Sequence, residues 1–191
     1  MRQVTGDEGQ LAVRRDRAWH VMAAVAGLGL ALMAGCGYHL VGTSSSLPAR
    51  LKTLYVAPFV NRTTRAEVDQ RLGEQVSQEW VRRGRMQLVS SAEQADLVLS
   101  ATVISVSSNP VQIDKAGRAS EYQLVVIADV QLVDRSKPQP ETIWRDKSFM
   151  RNISYQVDVN ALDYFDREVE AMDLLARDFA RALVVTILEG F

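Results

Sequence analysis

Residues 97–106, LVLSATVISV, and residues 122–133, YQLVVIADVQLV, decide the fold of this chain. Both are rich in β-branched side chains. The second sets its polar residues Gln123, Asp129 and Gln131 at positions of one parity, as a strand with one wet face requires. A third run, residues 142–155 (TIWRDKSFMRNISY), alternates in its own way, with Ile143, Arg145, Lys147, Phe149 and Arg151 expected on one face. Three extended runs in succession, joined by loops, predict an antiparallel meander.

Upstream, residues 51–60 (LKTLYVAPFV) read as a first strand, and Pro58, which cannot donate to a ladder, places it at an edge or at a bulge. Thr64-Arg65-Ala66-Glu67 has the form of a capping box, after which Val68, Leu72, Val76 and Trp80 recur every four residues up to Gly84, a suitable stop. Trp80 at this spacing reads as core and not as a cofactor contact. Met86 to Val89 is a candidate short strand.

Downstream, Asp163 to Leu188 predicts a long helix with Phe165, Val169, Met172, Ala176, Phe179, Leu183 and Ile187 as its apolar stripe. Asp163, Asp166, Glu168, Glu170 and Asp173 lie toward its start, and Arg177 and Arg181 toward its end, in the sense of the helix dipole. The acids read as a solvated face and not as a cation site, because no calcium-loop spacing occurs. The order predicts an α+β two-layer sandwich, with two amphipathic helices on one face of a four- or five-stranded, mostly antiparallel sheet, in a single domain over residues 51–191.

The 191 residues are 47% hydrophobic and 24% charged with a formal net charge of −1, which suits one globular domain with an appendage. Basic and acidic residues are interspersed, so no basic face for nucleic acid is expected. One cysteine and two histidines leave no stock for a disulfide framework, a zinc site or a histidine relay. No Gly-rich phosphate loop is present outside the apolar segment at residues 21–33, and no carboxylate pair stands in a recognisable setting. An enzyme is not expected, nor a metal or other bound cofactor.

The amino-terminal segment reads as export machinery. Arg14, Arg15 and Arg17 precede the uncharged run Val21 to Met33, which is short for a transmembrane helix and ends in Leu32-Met33-Ala34-Gly35-Cys36. This ending resembles the lipobox of bacterial lipoproteins, with Met33 where leucine is more usual. The resemblance implies a signal peptide over residues 1–35, cleavage before Cys36, and a diacylglycerol and an amide-linked acyl chain on that cysteine. The alternatives are a signal anchor that keeps the cysteine buried and a twin-arginine signal, whose following residues Asp16-Arg17-Ala18-Trp19 fit poorly. Acidic residues at Asp7 and Glu8 are unusual in such a segment and leave room for a translation start further downstream. Gly37, in place of an inner-membrane retention aspartate, favours the outer membrane. Several acyl chains would hold the chain stably at its surface, and residues 36–50, with the small polar run Gly42 to Ser46, read as a tether.

The hairpin that joins the strands at 97–106 and 122–133, Asn109 to Leu124, has Lys115 and Arg118 bracketing a glycine turn at Gly117. Two cations displayed at a turn could receive an anionic partner. A merely soluble turn is an equal reading of the same residues.

Two motifs then coincide. Cys36-Gly37-Tyr38-His39-Leu40 resembles the start of the mature LPS-assembly lipoprotein family, and Ala116-Gly117-Arg118-Ala119-Ser120-Glu121-Tyr122-Gln123-Leu124 resembles that family's basic turn leading into a Glu-Tyr-Gln strand. The elements from tether to final helix come in the family's order. The resemblance implies a lipoprotein on the periplasmic face of the outer membrane that plugs the β-barrel of the lipopolysaccharide translocon, assists its assembly and binds lipopolysaccharide. Lys115 matches the family's basic position; Arg118 is the second candidate. The family's other basic contribution, near the start of the last helix, has no counterpart, since Asp163, Tyr164, Phe165 and Asp166 stand there. A different envelope lipoprotein, a scaffold or pilot for a secretion or efflux complex, would share the anchor and the α+β body.

Overall fold

Side chains that alternate between fully buried and half-buried run along Leu97–Val103 and Leu124–Asp134, as two-residue strand periodicity demands of a sheet covered on one face. The computed structural model of the chain describes residues 47–48, 50–83, 85–157 and 164–189, without the side chains of 164 and 165. The predicted signal segment, Cys36, His39, most of the tether, Gly84 and Asp163 lie outside the described residues. Everything below belongs to the unit Ser44–Phe191.

The strands are β1 (Thr53–Val56), β2 (Val60–Asn61), β3 (Gln87–Leu88), β4 (Leu97–Ile113), β5 (Ala119–Asp134) and β6 (Glu141–Gln156). The helices are α1 (Val68–Arg83) and α2 (Tyr164–Glu189). The expected two-layer α+β sandwich is formed, on a six-stranded mixed sheet of order β3-β1-β4-β5-β6, with β2 also against β4. The long strands β4, β5 and β6 are the antiparallel meander. The short strands differ from the expectation: β1 runs parallel to both β3 and β4, and β2 parallel to β4. α1 is the reason, because a crossover helix returns the chain to the starting end of the sheet and makes the next strand parallel.

Pro58 splits the first predicted strand into β1 and β2, which follow one another along β4. The predicted capping box is not formed. Glu67 has a left-handed φ of 60°, and its carbonyl accepts the Arg71 N–H at 3.0 Å, so the helix begins after it. Asn61 orders the approach instead: its side-chain oxygen accepts the Thr63 N–H at 2.9 Å and its amide donates to the Arg65 carbonyl.

A register shift in β6 against Ala128 and Val130 breaks the single face expected from Ile143 to Arg151. Phe149 is buried opposite Ala128, whereas Arg145 lies beyond the shift and binds Asp129 in a two-pronged pair at 3.0 and 2.6 Å. On α2 the buried face runs through Glu168, Ala171, Met172, Leu175, Phe179, Leu183 and Ile187, and Val169 is half exposed. Val169 lies at the margin of that face, and its neighbour Glu168 is buried in its stead.

Trp80 and Phe179 anchor the core with no exposure, and Phe179 meets Phe149 edge to face at 5.0 Å between ring centres. Each fully buried apolar side chain of this size contributes about 1.5–3 kcal/mol. Acids read as solvated turn out to be paired: Arg71 of α1 with Asp173, and Arg65, in the approach to α1, with Glu168. The pairs advance together along the two segments, so α1 and α2 run in the same direction. At the starting end of β4, the Asp96 carboxylate accepts the Lys52 and Thr53 N–H groups at 2.8 and 3.0 Å. Beside it, buried Asp134 accepts from Arg50 at 2.6 Å and from the Ser136 hydroxyl at 2.7 Å.

Candidate functional site

From Asn109 to Ile113 every side chain of β4 is exposed, although its pairing with β5 continues to Ile113 opposite Ala119. Beyond Val103 β4 has no strand on its other side among the described residues, so this stretch is a sheet edge. Pro110 and two register shifts blunt the edge against pairing with another chain. The sequence placed the end of the strand near Val106 because Ser107 to Pro110 break the apolar alternation; the backbone ladder continues past them.

The turn itself is built on Asp114. Its N–H donates to the Arg118 carbonyl at 2.7 Å, and its carbonyl accepts the Gly117 N–H at 3.0 Å. Its carboxylate accepts the N–H groups of Ala116 and Arg118 at 2.8 and 2.9 Å and the Arg118 Nε at 3.1 Å. Gly117 has a φ of 80°, the left-handed position that closes a three-residue hairpin loop. The Arg118 N–H draws the Asp114 carboxyl below the usual carboxylate range; partial burial opposes this, and the Ala116 N–H and the guanidinium reinforce it.

These bonds separate the two predicted cations. Arg118 is paired with Asp114, with its Nη2 at 3.1 Å from the carboxylate, so its guanidinium has a partner within the turn. Lys115 is exposed, and among the described residues no carboxylate pairs with it. A flexible ammonium at a fixed tip can meet a phosphate or carboxylate from outside.

Two apolar residues that sequence reading did not single out flank it: Val111 is 53% exposed and Ile113 64%. Their signal was available in the run Val111-Gln112-Ile113, apolar positions two apart next to a turn. At the root of the hairpin Tyr122 stacks on Tyr155 with ring centres 5.8 Å apart, and the Tyr155 and Ser108 hydroxyls are 2.9 Å apart. Beside Tyr155 a cleft of about 530 Å³ opens between β6 and α2, with Ile153, Val157, Arg167 and Leu174 in its lining. The arrangement offers one free cation, exposed apolar surface and a mixed cleft at one end of the sheet. Such a combination suits an amphiphile with an acidic head. No group of three metal-ligating side chains occurs among the described residues, and no described helix is long and apolar enough to cross a membrane.

Residues 51–187 match the model of a protein family described as LptE, lipopolysaccharide-assembly. Among solved structures, the chain is similar to a hypothetical protein from Chlamydia trachomatis, with a TM-score of 0.53 and 13% identity over 74% of this chain and 97% of that one. A putative lipoprotein from Caulobacter crescentus gives a TM-score of 0.48 and 14% identity over 69% and 86% of the two chains. The rare lipoprotein B from Shewanella oneidensis gives 0.41 and 18% over 71% and 90%. At these identities the likeness bears on the fold, and only the first is close enough to carry that argument.

Proposed function

The chain belongs to the lipopolysaccharide-assembly family, and on that premise we propose that it is an outer-membrane lipoprotein, anchored through acylated Cys36 on the periplasmic face, that docks in the translocon β-barrel, assists its assembly and binds lipopolysaccharide. Its role is binding and positioning rather than catalysis. One observation carries the lipid-binding part: the Asp114-centred turn neutralises Arg118 and leaves Lys115 as the free cation, beside exposed Val111 and Ile113. Phosphates and acyl chains would meet charge and apolar surface at the same tip.

The test is a titration of lipopolysaccharide into the full chain in neutral detergent at low salt. Lys115→Glu is expected to weaken binding at least about tenfold, and Arg118→Gln by less, since its guanidinium is already occupied. Unchanged affinity in Lys115→Glu removes this turn from the lipid site. Co-purification of the same variants with an outer-membrane barrel reads docking separately, and barrel capture that persists without lipid binding divides the two roles.

A further inference from the structure

On the outer side of the helix pair, far from the hairpin, Arg82 of α1 and Arg177 and Arg181 of α2 line one cleft of about 210 Å³ together with Gln75, Gln78 and Glu79. Glu79 is the cleft's carboxylate; it is 6% exposed and already held by Arg82 and, at 3.0 Å, by the Nε of Arg83. Arg177 and Arg181 are exposed, and no carboxylate pairs with either among the described residues. Three guanidiniums thus line the cleft with one acid, and that acid is held by Arg82 and by Arg83 just outside the lining, which leaves Arg177 and Arg181 without it.

The helix dipole does not account for the two on α2. Its influence is confined to the last turn, where α2 has no basic residue at all, and Arg181 stands eight positions before Glu189. Arginines four apart on one helix face also repel each other. The neighbouring cleft shows the contrast: around Glu67, Gln70, Glu74 and Asp173, a single arginine, Arg71, is paired on two sides. Arg82 is compensated by Glu79, but no carboxylate pairs with Arg177 or Arg181 among the described residues, and like charge left uncompensated at a cleft is available to a ligand.

We infer that this cleft binds a phosphomonoester or diphosphate group, whether free or carried as the head of an anionic lipid. Guanidinium forks on α1 and α2 would take the phosphate oxygens two at a time, and the Gln75 and Gln78 amides add neutral donors. The cleft is smaller than the usual range for whole drug-sized ligands and fits a head group only. The inference stands on this charge balance and is independent of the reading of Lys115.

Calorimetric titration of the full chain, in neutral detergent at low salt, with inorganic pyrophosphate and with mixed micelles containing phosphatidic acid or phosphatidylcholine, decides it. Saturable binding of pyrophosphate at one site is expected, weakened at least about tenfold by Arg177→Gln with Arg181→Gln and unaffected by Lys115→Glu. Arg177→Lys with Arg181→Lys should retain part of the affinity, because charge remains and the fork is lost. Preference for phosphatidic acid over phosphatidylcholine, abolished by the glutamine double variant, identifies a lipid head as a source; pyrophosphate binding alone identifies accessible free phosphate. Absence of binding by both probes, or equal binding by the glutamine variant, overturns the inference, and since both arginines are exposed the variant is expected to keep its circular dichroism.

Discussion

The same two strands serve opposite ends at their opposite extremities. Where β4 starts and β5 finishes, Leu97, Leu99 and Leu132 are wholly buried beneath two helices, and buried Asp134 clasps Arg50. Where β4 finishes and β5 starts, Val111, Ile113 and Lys115 are exposed, and the turn is kept by hydrogen bonds to one aspartate. Burial is concentrated at one end, and the tip proposed for recognition lies at the other. The fold can tolerate change at its tip because little of its burial lies there.

The sharpest attempt to break this contrast is Phe179→Ala. It should cost about 3–5 kcal/mol in denaturant unfolding, through lost burial and the cavity left against Phe149. A cost under 1 kcal/mol would mean the buried end does not hold the fold.

Asp134→Asn comes next, at about 1–3 kcal/mol, reduced by the partial exposure of Arg50. The hydrogen bond from Arg50 holds the Asp134 carboxyl at about 2, against the opposing effect of burial and with help from Ser136. A depressed carboxylate adds stability that is full above its unfolded value, near 3.8, and is lost as pH falls toward about 2. The gap between native and variant should therefore narrow across that interval; a gap that stays constant down to pH 2 would deny Asp134 this role.

Gly117→Ala should cost about 1 kcal/mol. Nothing lies within 4 Å of the added Cβ, so the strain comes from the left-handed φ alone. Hydrogen exchange of the Arg118 amide is expected to quicken before any core amide does. Lys115→Gln, last, should shift stability by no more than about 0.5 kcal/mol while lowering lipopolysaccharide affinity, which separates recognition from folding.

Much of the sandwich was legible in the sequence because long amphipathic segments state their own period. Leu97 to Val103, Val68 to Trp80 and Ala171 to Ile187 all declare a buried face. Pairing was less legible, since periodicity fixes a strand's faces and not its neighbours, and the parallel seat of β1 between β3 and β4 follows from the path of α1. The capping-box pattern at Thr64–Glu67 failed because Asn61 took over the local hydrogen bonds and let Glu67 turn left-handed. At the tip, charge and glycine marked the turn and Arg118 ranked second to Lys115, but nothing in the sequence showed that Asp114 would occupy it. The arginine cleft was invisible for a plainer reason. Arg82 and Arg177 stand 95 positions apart in the sequence and meet only when the helices run side by side.

The ribbon beneath the turn has one more consequence. β6 supports β5 as far as Glu121 opposite Gln156, so Lys115 is mounted on a bracket and not hung from a tether. Its reach from the helices is a length written in residues. Adding two residues to each of β4 and β5 would move the tip outward by roughly 7 Å, while adding one to each would turn Lys115 to the opposite face of the sheet. The hairpin sets a distance, and the proposed ligand would meet Lys115 at that distance.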